Sequence, residues 1–160
     1  ILPEDEMLLH LNDSKQVPRK KREILYDIIR EKAVAYGIGV VSEKRIDEIN
    51  ILQATYEAMR MAIANLKVQP DLLLNDAVRI PEVDIKRVPI IKGDAKSVSI
   101  AAASILAKVT RDHMMVEYDT LFPEYGFAKH KGYGTAAHIA ALKEYGPTPI
   151  HRRSFIKNFV

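Results

Sequence analysis

Apolar residues recur at three- and four-residue steps in some stretches of the chain and run without interruption in others; the two patterns predict different elements. Pro18 precedes a helix over 19–35, with Ile24, Ile28 and Ala35 on its buried face. A second helix over 50–66 carries Leu52, Tyr56, Met59, Ile63 and Leu66, a stripe read as core. A third, over 97–119, places Ile100, Ala103, Ala107 and Thr110 on one face, with Ile105 and Val109 beside it. Ser97 or Ser99 can cap that helix, and its alanines favour helix and allow close packing. Met114, Met115, Tyr118, Leu121 and Phe122 follow as core, and a last helix spans 136–145 between Thr135 and Gly146. The uninterrupted runs at 36–42, 71–76 and 88–92 predict strands. The run at 71–76 suits a sheet buried on both faces. A connection over 77–88 is long enough to return the chain for parallel pairing. The class is therefore α/β.

Composition narrows this picture. With 160 residues, 48% apolar and 28% charged, one soluble globular domain is expected. Without cysteine there are no disulfides and no thiolate metal sites. No apolar run approaches the roughly 18 residues of a membrane helix, and Ile1-Leu2-Pro3 leads directly into Glu4-Asp5-Glu6, unlike a leader peptide. A cytoplasmic monomer fits. The net charge of +3 is unevenly spread: Arg19-Lys20-Lys21-Arg22 form one cluster. From Gly126 onward Lys129, Lys131, Lys143, Arg152, Arg153 and Lys157 face a single acid, Glu144. Such clustering suits a polyanion, and equally a solvated surface.

Candidate chemistry is sparse. Parallel pairing of the strands at 71–76 and 88–92 would bring Asp76 and Asp94 to one sheet edge, where open α/β sheets hold their sites. Two close carboxylates repel, and a hard divalent cation relieves that repulsion. The same residues are also compatible with an ordinary strand–loop–helix junction. His130, His138 and His151 lack the spacing of a zinc site and are read as surface or phosphate-neighbouring groups. Asp112 is read as an exposed partner of Arg111.

The segment KGDAKSVSIAAASILAKVTRD (92–112) resembles the signature of the type 2 ribonucleases H, and specifically bacterial ribonuclease HII. The resemblance continues in YGFAKHKGYGTAAH and YGPTPIHRRSF downstream, and in LNDSKQVPRKKRE, INILQATYEAM and PDLLLND upstream, in the family's order. It implies a ribonuclease H-like fold, a mixed central sheet flanked by helices with a C-terminal helical part. It implies an endonuclease that cuts RNA–DNA hybrids, and duplex DNA on the 5′ side of an embedded ribonucleotide, using two Mg²⁺ or Mn²⁺ ions, as in ribonucleotide excision repair. Asp76 and Asp94 match the third and fourth of the family's four carboxylates. Tyr133 matches the tyrosine that packs on a deoxyribose, while Ser14, Lys15 and Lys131 are candidate substrate contacts. The family's first strand, with its Asp-Glu pair and Gly-Arg-Gly turn, has no match, so an N-terminally incomplete catalytic domain over 1–160 is expected. Asn75, Ala77 and Val78 depart from the aliphatic residue, glycine and asparagine common there.

Two other readings compete with an active endonuclease: a nucleic-acid-binding fragment without catalysis, since two carboxylates are missing, and a metal-independent interaction domain, supported only by the basic clusters.

Overall fold

A computed structural model describes residues 1–3 and 17–160. The element order is α1 (Arg19–Lys32), α2 (Glu43–Ala64), β1 (Leu72–Asp76), β2 (Lys86–Ile90), α3 (Gly93–Lys96), α4 (Val98–Leu121), α5 (Phe127–His130), α6 (Ala136–Tyr145) and α7 (Arg153–Ile156). Two compact units share these elements: one comprises 1–40 and 55–109, the other 41–54 and 110–160.

In the first unit, β1 and β2 pair in parallel, with Leu74 opposite Val88 and Asp76 opposite Ile90. The expected adjacency therefore holds, and both strands end at the same edge. Ala77 N–H extends the ladder by donating to Ile90 O at 3.0 Å. The strands are half-buried or exposed rather than covered on both faces. The core of this unit joins Leu25 and Ile29 of α1 to Ala101, Ala102, Ile105, Leu106 and Val109 of α4.

Several expectations shift here. The buried face of α1 is Leu25 and Ile29, whereas Ile24 is exposed. Ala103 and Ala107 of α4 face outward, and Leu121 is exposed as well. The stripe on α2 is only half-buried, with Leu52 exposed and Ala54 its buried residue. No strand forms at 36–42 among the described residues. A ladder needs a neighbouring strand, and this segment lies against α2 instead. A Cβ at Gly39 would come within 1.9 Å of Ala58 O, and one at Gly37 within 2.2 Å of Ala62 O. Only glycine permits that approach, and Asn65 Nδ2 donates to Ile38 O beside it.

Caps follow the sequence closely. Ser97 Oγ accepts from Ile100 N–H at the start of α4, and Thr135 Oγ1 accepts from His138 N–H at the start of α6. Helix α2 breaks at Asn50 (φ 69°, ψ 165°), whose side chain accepts from Gln53 N–H and restarts the helix.

The second unit packs Met115, Tyr125, Phe127, Ala141, Leu142 and Ile156 together. Asp47 ties its discontinuous pieces, accepting from Arg153 N–H at 2.7 Å and Ser154 N–H at 2.9 Å. Those donors hold the Asp47 carboxyl below its usual pKa, the Ser154 hydroxyl contributing most.

Candidate functional site

Asp76 occupies the last position of β1 and is exposed. Its Oδ1 accepts a hydrogen bond from Gly93 N–H at 2.8 Å. The turn between β2 and α3 makes this contact possible. Lys92 takes a left-handed conformation (φ 56°), which aims the next amide back at the strand end. Gly93 then lies so close that a Cβ would meet Ile100 Cδ1 at 2.5 Å and Asp76 Cα at 3.2 Å. A larger residue would have to displace the Ile100 side chain and would crowd the Asp76 backbone. Asp94 follows in the first turn of α3 and is half-exposed. Among the described residues, neither Asp76 Oδ2 nor the Asp94 carboxylate accepts a hydrogen bond.

Beside this pair, Asn75 Oδ1 is buried without a partner. Ala77, on the other side of Asp76, has φ +55°. That left-handed backbone costs an alanine about 1 kcal/mol and costs glycine little. The strand end thus keeps a glycine-like conformation with a non-glycine residue in place.

The remaining candidates lie in the second unit or outside the described residues. Ser14 and Lys15 belong to the latter group. Tyr133 is 64% exposed. Its backbone is held at both ends: Tyr133 N–H donates to His130 O at 3.0 Å, and Tyr133 O accepts from Thr135 N–H at 2.8 Å. Lys131 is not the surface cation expected. It is 7% exposed, its ammonium turns inward to Ala128 O, and its carbonyl accepts from Arg111 Nη1 at 2.7 Å. Its left-handed backbone (φ 53°) closes α5 and folds the side chain back over the turn.

The histidines also depart from expectation. His130, His138 and His151 are buried, stacked and hydrogen-bonded around Phe127. His138 Nε2 and His151 Nε2 lie 3.0 Å apart. Burial pushes the His151 pKa down to about 4, with His138 adding to the shift, and burial also lowers His138. Asp112 is buried as well, on the inner side of α4 rather than exposed. One sequence signal points to the buried histidine of α6: His138 stands three and four positions before Ala141 and Leu142, on the helix's apolar side.

The donor chemistry at the strand end is purely oxygen. Two carboxylates suit Mg²⁺ or Mn²⁺ over softer ions. Among the described residues no group of three or more His, Cys, Asp or Glu side chains is arranged to hold a metal. No helix among the described residues is long and apolar enough to cross a membrane.

Residues 3–158 match the family model described as Ribonuclease HII. The chain is 72% identical over 158 residues to a ribonuclease HII of Lachnoclostridium phytofermentans, covering 99% of this chain and 62% of that protein. It is 57% identical over 160 residues to one of Acetivibrio thermocellus, covering 100% of this chain and again 62% of the relative. The chain thus spans about 62% of the length of these relatives. In fold it is similar to the crystal structure of ribonuclease H2 from Pyrococcus horikoshii, with a TM-score of 0.73 and 27% identity over 91% of this chain and 76% of the other.

Proposed function

Because the chain belongs to the ribonuclease HII family, we propose that it forms part of a metal-dependent endonuclease acting on RNA–DNA hybrids and on duplex DNA containing single ribonucleotides. In this reading Asp76 and Asp94 are ligands for Mg²⁺ or Mn²⁺, and Tyr133 packs against the sugar next to the ribonucleotide. Cleavage falls on the 5′ side of the ribonucleotide, as the first step of its excision. A divalent ion held by Asp76 and Asp94 would supply Lewis acidity for phosphodiester hydrolysis.

The observation that carries the reading is the Asp76–Gly93 contact. A carboxylate with one oxygen pinned by a backbone amide and the other open is pre-oriented toward a ligand. Holding it this way removes rotamer freedom before any ion or phosphate arrives. Asp94 follows in the turn after β2, four residues past Ile90, the strand partner of Asp76, which supports reading the two acids as one site. The exposed Tyr133 ring offers an apolar face to a sugar, while the 2′-hydroxyl is the group that distinguishes a ribonucleotide from its neighbours.

The test is cleavage of a duplex carrying one ribonucleotide by the full-length protein in Mg²⁺ or Mn²⁺. Asp94→Asn and Asp76→Asn are expected to lower kcat by more than about 100-fold, with low-salt duplex binding retained. Wild-type turnover in both variants would sink the assignment. Duplex binding without cleavage in the unaltered protein would favour the non-catalytic alternative.

A further inference from the structure

The segment carrying Tyr133 runs through Gly132 (φ 79°) and Gly134. Its anchor is the buried histidine cluster. Backbone groups determine where each proton sits. Gly132 N–H donates to His130 Nδ1 at 3.1 Å, so His130 carries its proton on Nε2, which donates to Tyr125 O at 2.7 Å. Thr148 N–H donates to His151 Nδ1 at 3.0 Å, so the His151 proton is also on Nε2. That proton points at His138 Nε2, which must accept it. His138 is left with its proton on Nδ1, donating to Tyr133 O at 2.9 Å. Every assignment agrees with the next, and the rings are packed on Phe127, which is 1% exposed.

We infer that His138 is a positioning residue for Tyr133: His151 fixes the His138 tautomer, and His138 Nδ1–H then fixes the Tyr133 carbonyl and, through it, the presentation of the ring. The inference rests on the reading of Tyr133 as a substrate-contacting residue. It links the presentation of an aromatic ring between two glycines to the buried core. It also connects that ring to Thr148 and His151, which lie beyond α6 in sequence. Thr135 N–H also donates to the same carbonyl, so losing the histidine leaves the turn itself formed.

A double-mutant cycle in the full-length protein tests this, read as kcat and KM on a single-ribonucleotide duplex. Tyr133→Ala and His138→Ala should each lower kcat/KM by about tenfold or more. The combined variant should be no worse than Tyr133→Ala alone, because His138 then has no ring to position. His138→Asn keeps a donor at the Nδ1 position and should return activity to within about threefold of wild type, whereas His138→Gln should not. If His138→Ala fails to fold, the Asn and Gln variants carry the same comparison. Nitrogen-15 histidine spectra of the unaltered protein should show the Nδ1–H form at His138 and the Nε2–H form at His130 and His151. Additive losses in the cycle, equal activity of the Asn and Gln variants, or an Nε2 proton on His138 would overturn the inference. Normal activity of Tyr133→Ala would overturn the reading of Tyr133 itself, a result visible before any position 138 variant is made.

Discussion

The strand end around Asp76 and the aromatic core around Phe127 handle polar groups in opposite ways. At the strand end, one carboxylate oxygen is pinned by Gly93, while Asn75 Oδ1 is buried with no partner and Ala77 sits in strained backbone. Around Phe127, every ring nitrogen of three buried histidines has a partner. A satisfied network gains nothing from a new ligand and serves to hold shape. An incompletely satisfied edge keeps its acceptors available for a cation, at some cost in stability. The difference separates an edge with unmet polar groups from a core in which every ring nitrogen is paired.

The largest effect should come from breaking the packed region. Phe127→Ala removes a ring 1% exposed and in contact with all three histidines, and should cost about 3–5 kcal/mol in denaturant unfolding. Asp76→Asn, by contrast, should change stability by less than about 1 kcal/mol. A small loss at Phe127 would dissolve the contrast.

Protonation attacks the same core more gently. His151 is held down to about 4 by burial and by His138, against 6.5 in an unfolded chain. Well above pH 6.5 both states are neutral and stability is fully present. As pH falls from 6.5 toward 4 the unfolded chain binds the proton and the folded core does not, so stability is lost across that window. His151 alone should account for about 2 kcal/mol between pH 7 and pH 5. Unfolding free energies measured across this range check it, and His151→Gln should flatten the slope.

At the strand end, substitutions should stabilise. Asn75→Val replaces an orphaned buried acceptor with an apolar strand former and should add about 1 kcal/mol. Ala77→Gly should add about 0.5 kcal/mol, the left-handed backbone favouring glycine by more than glycine's extra unfolded-state freedom costs. Both are read as midpoint shifts in denaturant. Destabilisation by either would mean that this edge is better packed than its polar groups suggest.

The same contrast explains what was legible in the sequence. The parallel pair and the position of Asp76 could be read because a continuous apolar run, a connection of a dozen residues and an acidic end leave little choice. The buried face of α1 could not be settled, since Ile24, Leu25, Ile28 and Ile29 form two adjacent stripes and only the packing partner selects one. On α4, small alanines fit either side, so the larger Ile105, Leu106 and Val109 decide which side is buried. The segment at 36–42 has strand-like composition, yet its glycines serve close approach to a helix. The histidine network was invisible because its members are separated in sequence and meet only through the tertiary fold. Their tautomers depend on backbone groups of Gly132, Tyr133 and Thr148, whose positions no local pattern reveals.

The Asp47 clasp has a consequence for the order of events during synthesis. Its acceptor lies at the start of α2, and its donor Ser154 lies 107 residues later. At about 5–20 residues per second, Asp47 waits roughly 5–20 s for the α7 amides that it caps. The second half of α2 belongs with β1, β2 and the front of α4, all of which emerge sooner. One helix therefore serves two units: its residues from 55 onward belong with segments made early, while Asp47, ahead of the break at Asn50, meets its donors last.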